Sequence, residues 1–538
     1  MNTLLRRGIG LLAAPALAAT AVAAVPAPAR AADADPVPVE HGSAWLAAQL
    51  TGGLVHNDQY GFDDLGLSVD VALAADAVDE TATVSAVSDA LAPRVQDYTT
   101  YFVAAGKTHV SPGSIAKAVV LALLADEDPR AYGGQNLVAQ LEDRVSTETA
   151  DRGRISDVFF PEEPFEADFA NTIGQSFAAR ALDAAGGDEV AEVTDFLLLQ
   201  QCEEGFFRLD LGADAAATCD ADAAAVASTD VTALAVLNLK GLTDDPEVKT
   251  AVDAAVAWLV RTQRADGSFG SDGQIAVSNA NSTGLAGWAL GEVGTTAAAE
   301  RAATWLRSVQ AADPAQCATA LTGATGAIAY GPAELGAARR AGITAATRDQ
   351  FRRATAQALP ALQWAPDGTD ASEPVSDSRF VRAGAKQQLH ADGVAPGETV
   401  CFAGPGASVL STADRSGHAA ATVTLPKGTA DRRYTLSTAR GSLGAVTVRV
   451  LDAKRFKTGA AKKRVERGAK QRVVVRGLAR GERVVVRVAG KRVDSGKATR
   501  KGVFTTRFKA TGKPGKRVVK VVGQFGDRTG RTTFRVVR

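Results

Sequence analysis

Cysteine and histidine, from which most metal sites and many catalytic sites are built, are scarce in this sequence. Its 538 residues include four cysteines, five histidines and a single methionine. No Cys-x-x-Cys pair and no Cys/His cluster occurs, which argues against a structural zinc site. We therefore predict no metal and no cofactor.

After residue 31 the sequence lacks any apolar run of the roughly 18 residues that a membrane-spanning helix needs. The one long apolar run, 8–25, follows Arg6 and Arg7 and precedes the small residues Ala29 and Ala31. This combination is typical of a secretory signal peptide. We predict a signal peptide over 1–31 and a secreted mature protein. A membrane anchor is the less favoured alternative, because the run is short.

The scarce cysteines fall into two groups. Cys202 and Cys219 are 17 residues apart in one polar loop. A disulfide there is predicted, and it could stabilise the fold by roughly 3 kcal/mol by restricting the unfolded chain. Cys317 and Cys401 either pair across a domain boundary or stay unpaired, and the sequence leaves both open.

The net charge of the whole chain is zero, but the charges are distributed unevenly. The chain has 60 basic and 60 acidic residues, yet residues 453–538 contain 28 Lys and Arg against four acids. This segment, the basic tail, has a net charge of +24, and the rest of the chain has −24. The sequence therefore predicts an acidic body with a strongly basic tail.

What is present over 41–363 is a helical repeat built on Ala and Leu. Each copy has an aromatic residue, a Gln five positions later, a turn, and an Ala-rich helix with a polar N-cap. The aromatic and Gln positions are Phe196 and Gln201, Trp258 and Gln263, and Trp305 and Gln310, with a shorter copy at Trp45 and Gln49. We predict about six pairs of outer and inner helices, followed by a last outer helix near 347–363.

The segment Trp258-Leu259…Gln263…Asp266-Gly267-Ser268-Phe269 resembles the Gln/Trp repeat of terpenoid-cyclase and protein-prenyltransferase toroids. The resemblance is clearest over 190–310. It implies an α/α toroid over 32–364, in which paired helices close a ring around a central funnel. Phe206 and Phe269 stand where the family often has Trp, so the repeat is degenerate.

Beyond a polar linker at 365–377 the pattern changes to short alternating strands. In one of them Arg483, Val485 and Arg487 share a face opposite Val484, Val486 and Val488. We predict two small all-β sandwiches, over 378–452 and 453–538, similar to bacterial Ig-like modules. The whole chain is thus expected to be multidomain, all-α followed by all-β.

The catalytic motifs that the resemblance would require are incomplete. Asp220-Ala221-Asp222-Ala223 lacks the last Asp of Asp-x-Asp-Asp, and Asp63-Asp64 lacks the fifth-position Asp of Asp-Asp-x-x-Asp. Gln201-Cys202-Glu203-Glu204 is not a thioester motif. Tyr98, Tyr101 and His109 could suggest a lyase, but aromatic packing is the simpler interpretation. We predict no catalytic residues.

A cavity remains as the predicted site. The resemblance implies that a ligand sits near the starts of the inner helices, and helix N-termini favour polar or anionic groups. The matching residues are Asp70, Asn171, Thr172, Asp230, Asn281 and Thr283. Helix capping alone is the competing interpretation for each. Cobalamin carriers combine such a ring with a β-domain, but their β-domain is not recognisable in 378–538.

The basic tail predicts binding to polyanions of the cell envelope, in a salt-dependent way. Nucleic acid is not expected, because the aromatic residues of the tail lie on predicted buried strand faces. We therefore expect an exported, non-catalytic protein that binds a small ligand or partner in the ring and associates with the cell wall. The alternatives are a terpenoid-cyclase-like or polysaccharide-lyase-like enzyme and a structural spacer without a ligand.

Overall fold

The computed structural model describes residues 34–271, 277–369 and 371–538. The predicted signal peptide lies outside the described residues. Helices dominate the chain as far as residue 364, and strands follow from residue 375 to residue 537. The predicted order, a helical part and then a β part, is confirmed.

The helical part contains α-helices joined by turns, short 3₁₀ segments and two small β-sheets. The α-helices are α1 Val37–Ala47, α2 Leu65–Asp76, α3 Thr81–Leu91, α4 Val95–Thr99, α5 Pro112–Leu124, α6 Leu137–Glu142, α7 Thr172–Ala185, α8 Val190–Leu198, α9 Thr229–Leu239, α10 Pro246–Thr262, α11 Ala280–Glu292, α12 Thr296–Ser308, α13 Pro332–Ala341 and α14 Ala345–Ala358. The short strands are β1 Leu50–Thr51, β2 Leu54–Asn57, β3 Phe62–Asp63, β4 Thr100–Ala104 and β5 Lys107–Val110.

Six helices form the inside of a closed ring. Along the chain, α2, α5, α7, α9, α11 and α14 each contact the next, and α14 contacts α2. Most of these helices are rich in apolar residues, and in α5 eight of thirteen residues are buried. Helix α14 is more polar and contains three arginines. A helix that is apolar on nearly all sides is stable only inside a layer of other helices. The helices α3, α8, α10 and α12 pack outside them.

The segment near 347–363 is placed differently from the prediction. It was expected to be an outer helix, but α14 and the 3₁₀ segment after it pack between α11 and α2. Thr355 shows why, because its hydroxyl accepts a hydrogen bond from the amide of Ile328 at 2.9 Å. Thr232 and Thr283, in the first turns of α9 and α11, accept equivalent bonds from turn residues. The segment therefore has an inner helix's contacts.

Three glutamines of the repeat tie each outer helix to the next unit. Each side-chain amide donates one hydrogen bond to a glycine carbonyl of its own turn and one to a backbone carbonyl of the next outer helix, at N···O distances of 2.8–3.3 Å. The donors and acceptors are Gln201 with Gly205 and Ala251, Gln263 with Gly267 and Ala298, and Gln310 with Gly326 and Pro38. Because Pro38 lies in α1, the last tie closes the ring.

The glycines of these turns lie directly against the same outer helices. A β-carbon at Gly205, Gly267 or Gly326 would collide with a backbone carbonyl oxygen of α10, α12 or α1, respectively. Their φ angles are 100°, 93° and 98°, which L-residues with a side chain rarely adopt. Both space and backbone conformation therefore require glycine at these contacts.

The β part follows in two sheet systems. Its strands are β6 Val375–Ser376, β7 Phe380–Arg382, β8 Lys386–Ala391, β9 Thr399–Gly404, β10 Ala407–Thr412, β11 Ala419–Thr424, β12 Ala430–Thr438, β13 Gly441–Leu451, β14 Lys454–Ala460, β15 Arg464–Glu466, β16 Lys470–Arg476, β17 Arg483–Val488, β18 Lys491–Lys497, β19 Val503–Lys509, β20 Gly515–Val522 and β21 Arg528–Val537. The first system pairs a five-stranded sheet, β10-β9-β12-β13-β7, with a three-stranded sheet, β11-β8-β6.

The sheet of the basic tail is larger than the predicted small sandwich. Its eight strands form one connected sheet, because β14 pairs with β21 along its first half and with β16 along its second. The predicted alternation holds in β17, where Val484 and Val486 are buried and Arg483 and Arg487 are exposed. The buried valines belong to one apolar cluster with Phe456 and other buried side chains of this segment.

The helical and β parts are joined covalently and by buried charge. Cys317 and Cys401 form a disulfide across the junction with a Cα–Cα distance of 5.7 Å, which resolves the pairing that the sequence left open. The buried carboxylate of Asp35 pairs with Arg307 of α12 and with Arg440, which precedes β13. The predicted disulfide between Cys202 and Cys219 also forms.

Replacing the ring-closing glycine tests this architecture. We expect Gly326→Ala to lower the free energy of unfolding by about 3 kcal/mol, because it adds a backbone collision to the cost of a positive φ. Gly294→Ala is the matched control, since Gly294 has a φ of 79° with open space around it, and it should lose about 1 kcal/mol. Equal losses in urea-unfolding midpoints would show that this contact does not close the ring.

Candidate functional site

The inner helices surround a cavity of about 150 Å³. Most of its wall is apolar and comes from side chains along the middle of the ring helices: Leu73, Ile173, Phe177, Leu234, Leu237 and Leu285. Its polar lining consists of Asp70, Lys117, Arg180, Asn238, Trp288 and Gln357. An apolar chamber with a few polar groups is the usual form of a small-molecule site.

Asp70 and Lys117 neutralise each other in this wall. Lys117 donates a hydrogen bond to the Asp70 carboxylate at 2.7 Å, and its ammonium lies 5.2 Å from the centre of the Phe177 ring. Burial by itself lowers the pKa of Lys117, but the charges of Asp70 and Tyr98 outweigh it and hold the pKa above its ordinary value. Burial raises the pKa of Tyr98 to about 12. Lys117 is therefore a fixed cation whose charge is already compensated.

Among the described residues, Arg180 has no direct counter-ion or hydrogen-bond partner, and the N–H of Trp288 is buried and has no hydrogen-bond acceptor. Burial lowers the pKa of Arg180, and the more distant charges of Asp76 and Glu292 counter this only in part. Since an arginine side chain stays protonated in proteins, the half-buried Arg180 gives the cavity wall one cation without a direct counter-ion among the described residues, whereas the Trp288 N–H is too buried to face the cavity.

The remaining polar groups of the wall are engaged by neighbouring helices. Asn238 donates to the Ser176 hydroxyl at 2.9 Å, and Gln357 accepts from the Asn281 amide at 2.6 Å. Hydrogen bonds between helices hold these side chains in place, so the cavity is preformed on this side.

Of the six residues predicted to bind a ligand, only Asp70 lines this cavity. Asn171 caps α7, where its side-chain oxygen accepts from the amide of Gly174 at 3.1 Å. Thr172 is buried in the first turn of α7, and Asp230 is half-buried in the first turn of α9. The other two, on α11, are Asn281, one hydrogen bond away from the cavity through Gln357, and Thr283, which binds the Phe269 backbone.

The sequence reasoning missed Lys117, Arg180 and Trp288. These side chains lie in the middle of inner helices, whereas the prediction concentrated on the helix starts. A signal was available, because Lys117 is the single charged residue of α5. A lone cation in an otherwise apolar, buried helix needs a partner or a function.

A second polar cluster lies between the β4–β5 hairpin and the loop before α7. The buried imidazole of His109 has a carboxylate 3.2 Å from each ring nitrogen, Asp157 on one side and Glu166 on the other. Tyr101 stacks on His109 and donates to Glu166 at 2.7 Å. Burial and this hydrogen bond raise the pKa of Tyr101 to about 12, and burial raises that of Asp157.

This cluster has the composition of an acid–base site, but its position indicates a structural role. Only 1% of His109 is exposed, and neither His109 nor Tyr101 lines the cavity described above. The cluster fastens the loop to the hairpin. No group of three or more His, Cys, Asp or Glu suited to a metal ion occurs among residues 34–271, 277–369 and 371–538.

Cations stand directly opposite one another on the sheet of the basic tail. Arg492, Arg487, Lys520 and Arg531 are paired across neighbouring strands β18, β17, β20 and β21, and are named here the cationic row. Of the 28 Lys and Arg in the tail, only Arg528 has a carboxylate within 4.0 Å among the described residues, the buried Glu482. Like charges directly opposite on a sheet repel, so the row favours an anion across it.

Within the described part of the chain, no helix combines the length and apolar character needed to span a membrane.

Comparisons with known proteins give distant structural similarity only. No protein-family profile and no curated protein matches the chain. A protein from Actinoplanes is 18% identical, covering 61% of this chain and 98% of its own, with a TM-score of 0.40. The type II terpene cyclase MstE from Scytonema in complex with merosterolic acid A is 14% identical, covering 61% and 96%, also at 0.40.

A further distant neighbour is a bacterial adhesin. The Yersinia pseudotuberculosis adhesin InvE is 14% identical, covering 31% of this chain, with a TM-score of 0.18. The chain spans 59% of that adhesin structure. At these scores the neighbours assign neither a family nor an activity to the chain.

Breaking the pair in the cavity wall tests its charge balance. We expect Asp70→Leu to lower the free energy of unfolding by about 2 kcal/mol, because it leaves the ammonium of Lys117 in an apolar wall without a counter-ion. Adding Lys117→Met should recover most of that loss. The exposed pair Lys249–Asp253 is the control, and Asp253→Leu should change stability by less than about 0.5 kcal/mol. Thermal melts that show no recovery in the double variant would contradict this balance.

Proposed function

We propose that this chain is a secreted, non-catalytic binding protein. Its helical part, an α/α toroid over 32–364, binds a small organic ligand in the ring cavity. After the linker at 365–377, two Ig-like modules follow, over 378–452 and 453–538. The second, the basic tail, attaches the protein to anionic polymers of the cell envelope.

One observation carries the ligand-binding proposal. The cavity wall contains the half-buried Arg180 guanidinium, which has no hydrogen-bond or ion-pair partner among the described residues. A cation beside a largely apolar wall costs free energy unless it is paired. A bound ligand that supplies acceptors would remove this cost, which is a reason for the cavity to be occupied.

The enzyme alternative lacks a reactive group in the cavity. A cyclase-like or lyase-like reaction needs an acid or base that is free to exchange a proton with the substrate. The one carboxylate among the described lining residues is Asp70, which is paired with Lys117. Binding without chemistry therefore fits this wall better.

Export is supported by the predicted signal peptide and by the cysteines. All four cysteines are in disulfides. Disulfides persist mainly in oxidising compartments outside the cytosol. Attachment is supported by the cationic row and by the lack of carboxylate partners around it.

Native mass spectrometry tests the ligand-binding proposal. The protein purified from its secreting cells should carry a bound small molecule, released on unfolding. Ala356→Leu, which adds side-chain volume to the cavity wall, should reduce its occupancy at least tenfold, while Ala297→Leu on the exposed surface of α12 should not. A protein that stays free of ligand and binds nothing when incubated with its own culture extract would refute the proposal.

Retention on purified cell wall at rising salt tests the attachment proposal. We expect Arg487→Glu combined with Lys520→Glu to elute at clearly lower salt than the unaltered protein, because two cations of the row become anions.

The matched control is Arg500→Glu with Lys501→Glu, which makes the same charge change in an exposed turn outside the row. If both double variants elute together, net charge alone governs retention and the row has no special role. If the unaltered protein shows no salt-dependent retention, the attachment proposal is wrong.

A further inference from the structure

We propose that the ligand of the ring cavity is a small monocarboxylate with an apolar body, whose carboxylate binds Arg180. This inference rests on the proposed binding function and names the class of ligand.

The charge balance calls for a single negative charge. The Asp70 carboxylate and the Lys117 ammonium are 2.7 Å apart and cancel each other. Arg180 is the other cation of the lining, and among the described residues it has no ion-pair partner within 4.0 Å. A neutral ligand would leave this cation uncompensated, and a dianion such as a phosphate monoester would bring one negative charge too many.

The unpartnered cation of the lining is a donor, so the head group of the ligand must be an acceptor. The Arg180 guanidinium presents a planar fork of N–H groups. An ionised carboxylate is acceptor-only, has two oxygens, and forms bidentate bonds with a guanidinium. A head group that also carried donors would find no acceptor in this side chain.

The apolar wall around Arg180 limits the size and polarity of the rest of the ligand. Phe177 lies one helical turn before Arg180 on α7, and leucines of α2, α9 and α11 complete the apolar surface. A cavity of about 150 Å³ is large enough for a molecule the size of benzene. One aromatic ring or a short branched chain therefore fits, and a long acyl chain does not fit inside.

Phenylacetate is a suitable probe, with 2-phenylethanol as its neutral analogue and phenyl phosphate as the dianion. Isothermal titration of the full secreted chain, cleared of bound ligand, should show phenylacetate binding at least tenfold more tightly than either analogue. Arg180→Gln should remove this preference by weakening phenylacetate at least tenfold while leaving 2-phenylethanol unchanged.

Arg340→Gln, at an exposed site on α13, is the control and should bind all three probes like the unaltered protein. If 2-phenylethanol binds as tightly as phenylacetate, the carboxylate inference is wrong and cavity binding stands. If phenyl phosphate binds more tightly than phenylacetate, the carboxylate inference is also wrong and cavity binding stands. If no probe binds and native mass spectrometry finds no ligand, both the carboxylate inference and the proposed binding function are wrong. The comparison of probes uses the unaltered protein, so it is decisive even if Arg180→Gln does not fold.

Discussion

The contact on which the helical part depends is the docking of each outer-to-inner turn against the next outer helix. A glutamine amide and a side-chain-free glycine make this contact at successive units, and at the last unit the partners are Gln310, Gly326 and α1. Hydrogen bonds fix the distance between units and the glycine allows backbones to touch. Closure follows because the final turn meets the first helix, and only a closed ring encloses a cavity.

Closure of the ring brings the polar residues of the cavity together. Residues far apart in sequence, such as Asp70, Lys117, Arg180 and Trp288, face the same space because their helices are neighbours in the ring. Burying charge in an apolar wall is unfavourable unless each charge is compensated. One pair meets that requirement within the protein, and Arg180 does not, which is why the wall has a preference for what occupies it.

The acidic helical part and the basic tail are linked through the first β module. A disulfide between Cys317 and Cys401 and the shared carboxylate of Asp35 connect the ring to the first β module. The basic tail follows that module directly, and Arg382 of β7 pairs with Asp527 of the tail. Attachment through the tail would therefore hold the ring at the attached surface.

Local patterns determined much of this protein: the helical part followed by strands, the Gln-and-glycine turns, the Cys202–Cys219 disulfide and the valine faces of the tail all follow from spacing along the chain. Only the tertiary structure decided that α14 lies inside the ring, that Cys317 pairs with Cys401, and that Arg180 and Trp288 share a cavity. Spacing reports which face of a helix is apolar, because that depends on residues three and four apart. It cannot report which distant helices become neighbours, because that is decided by packing across the closed ring.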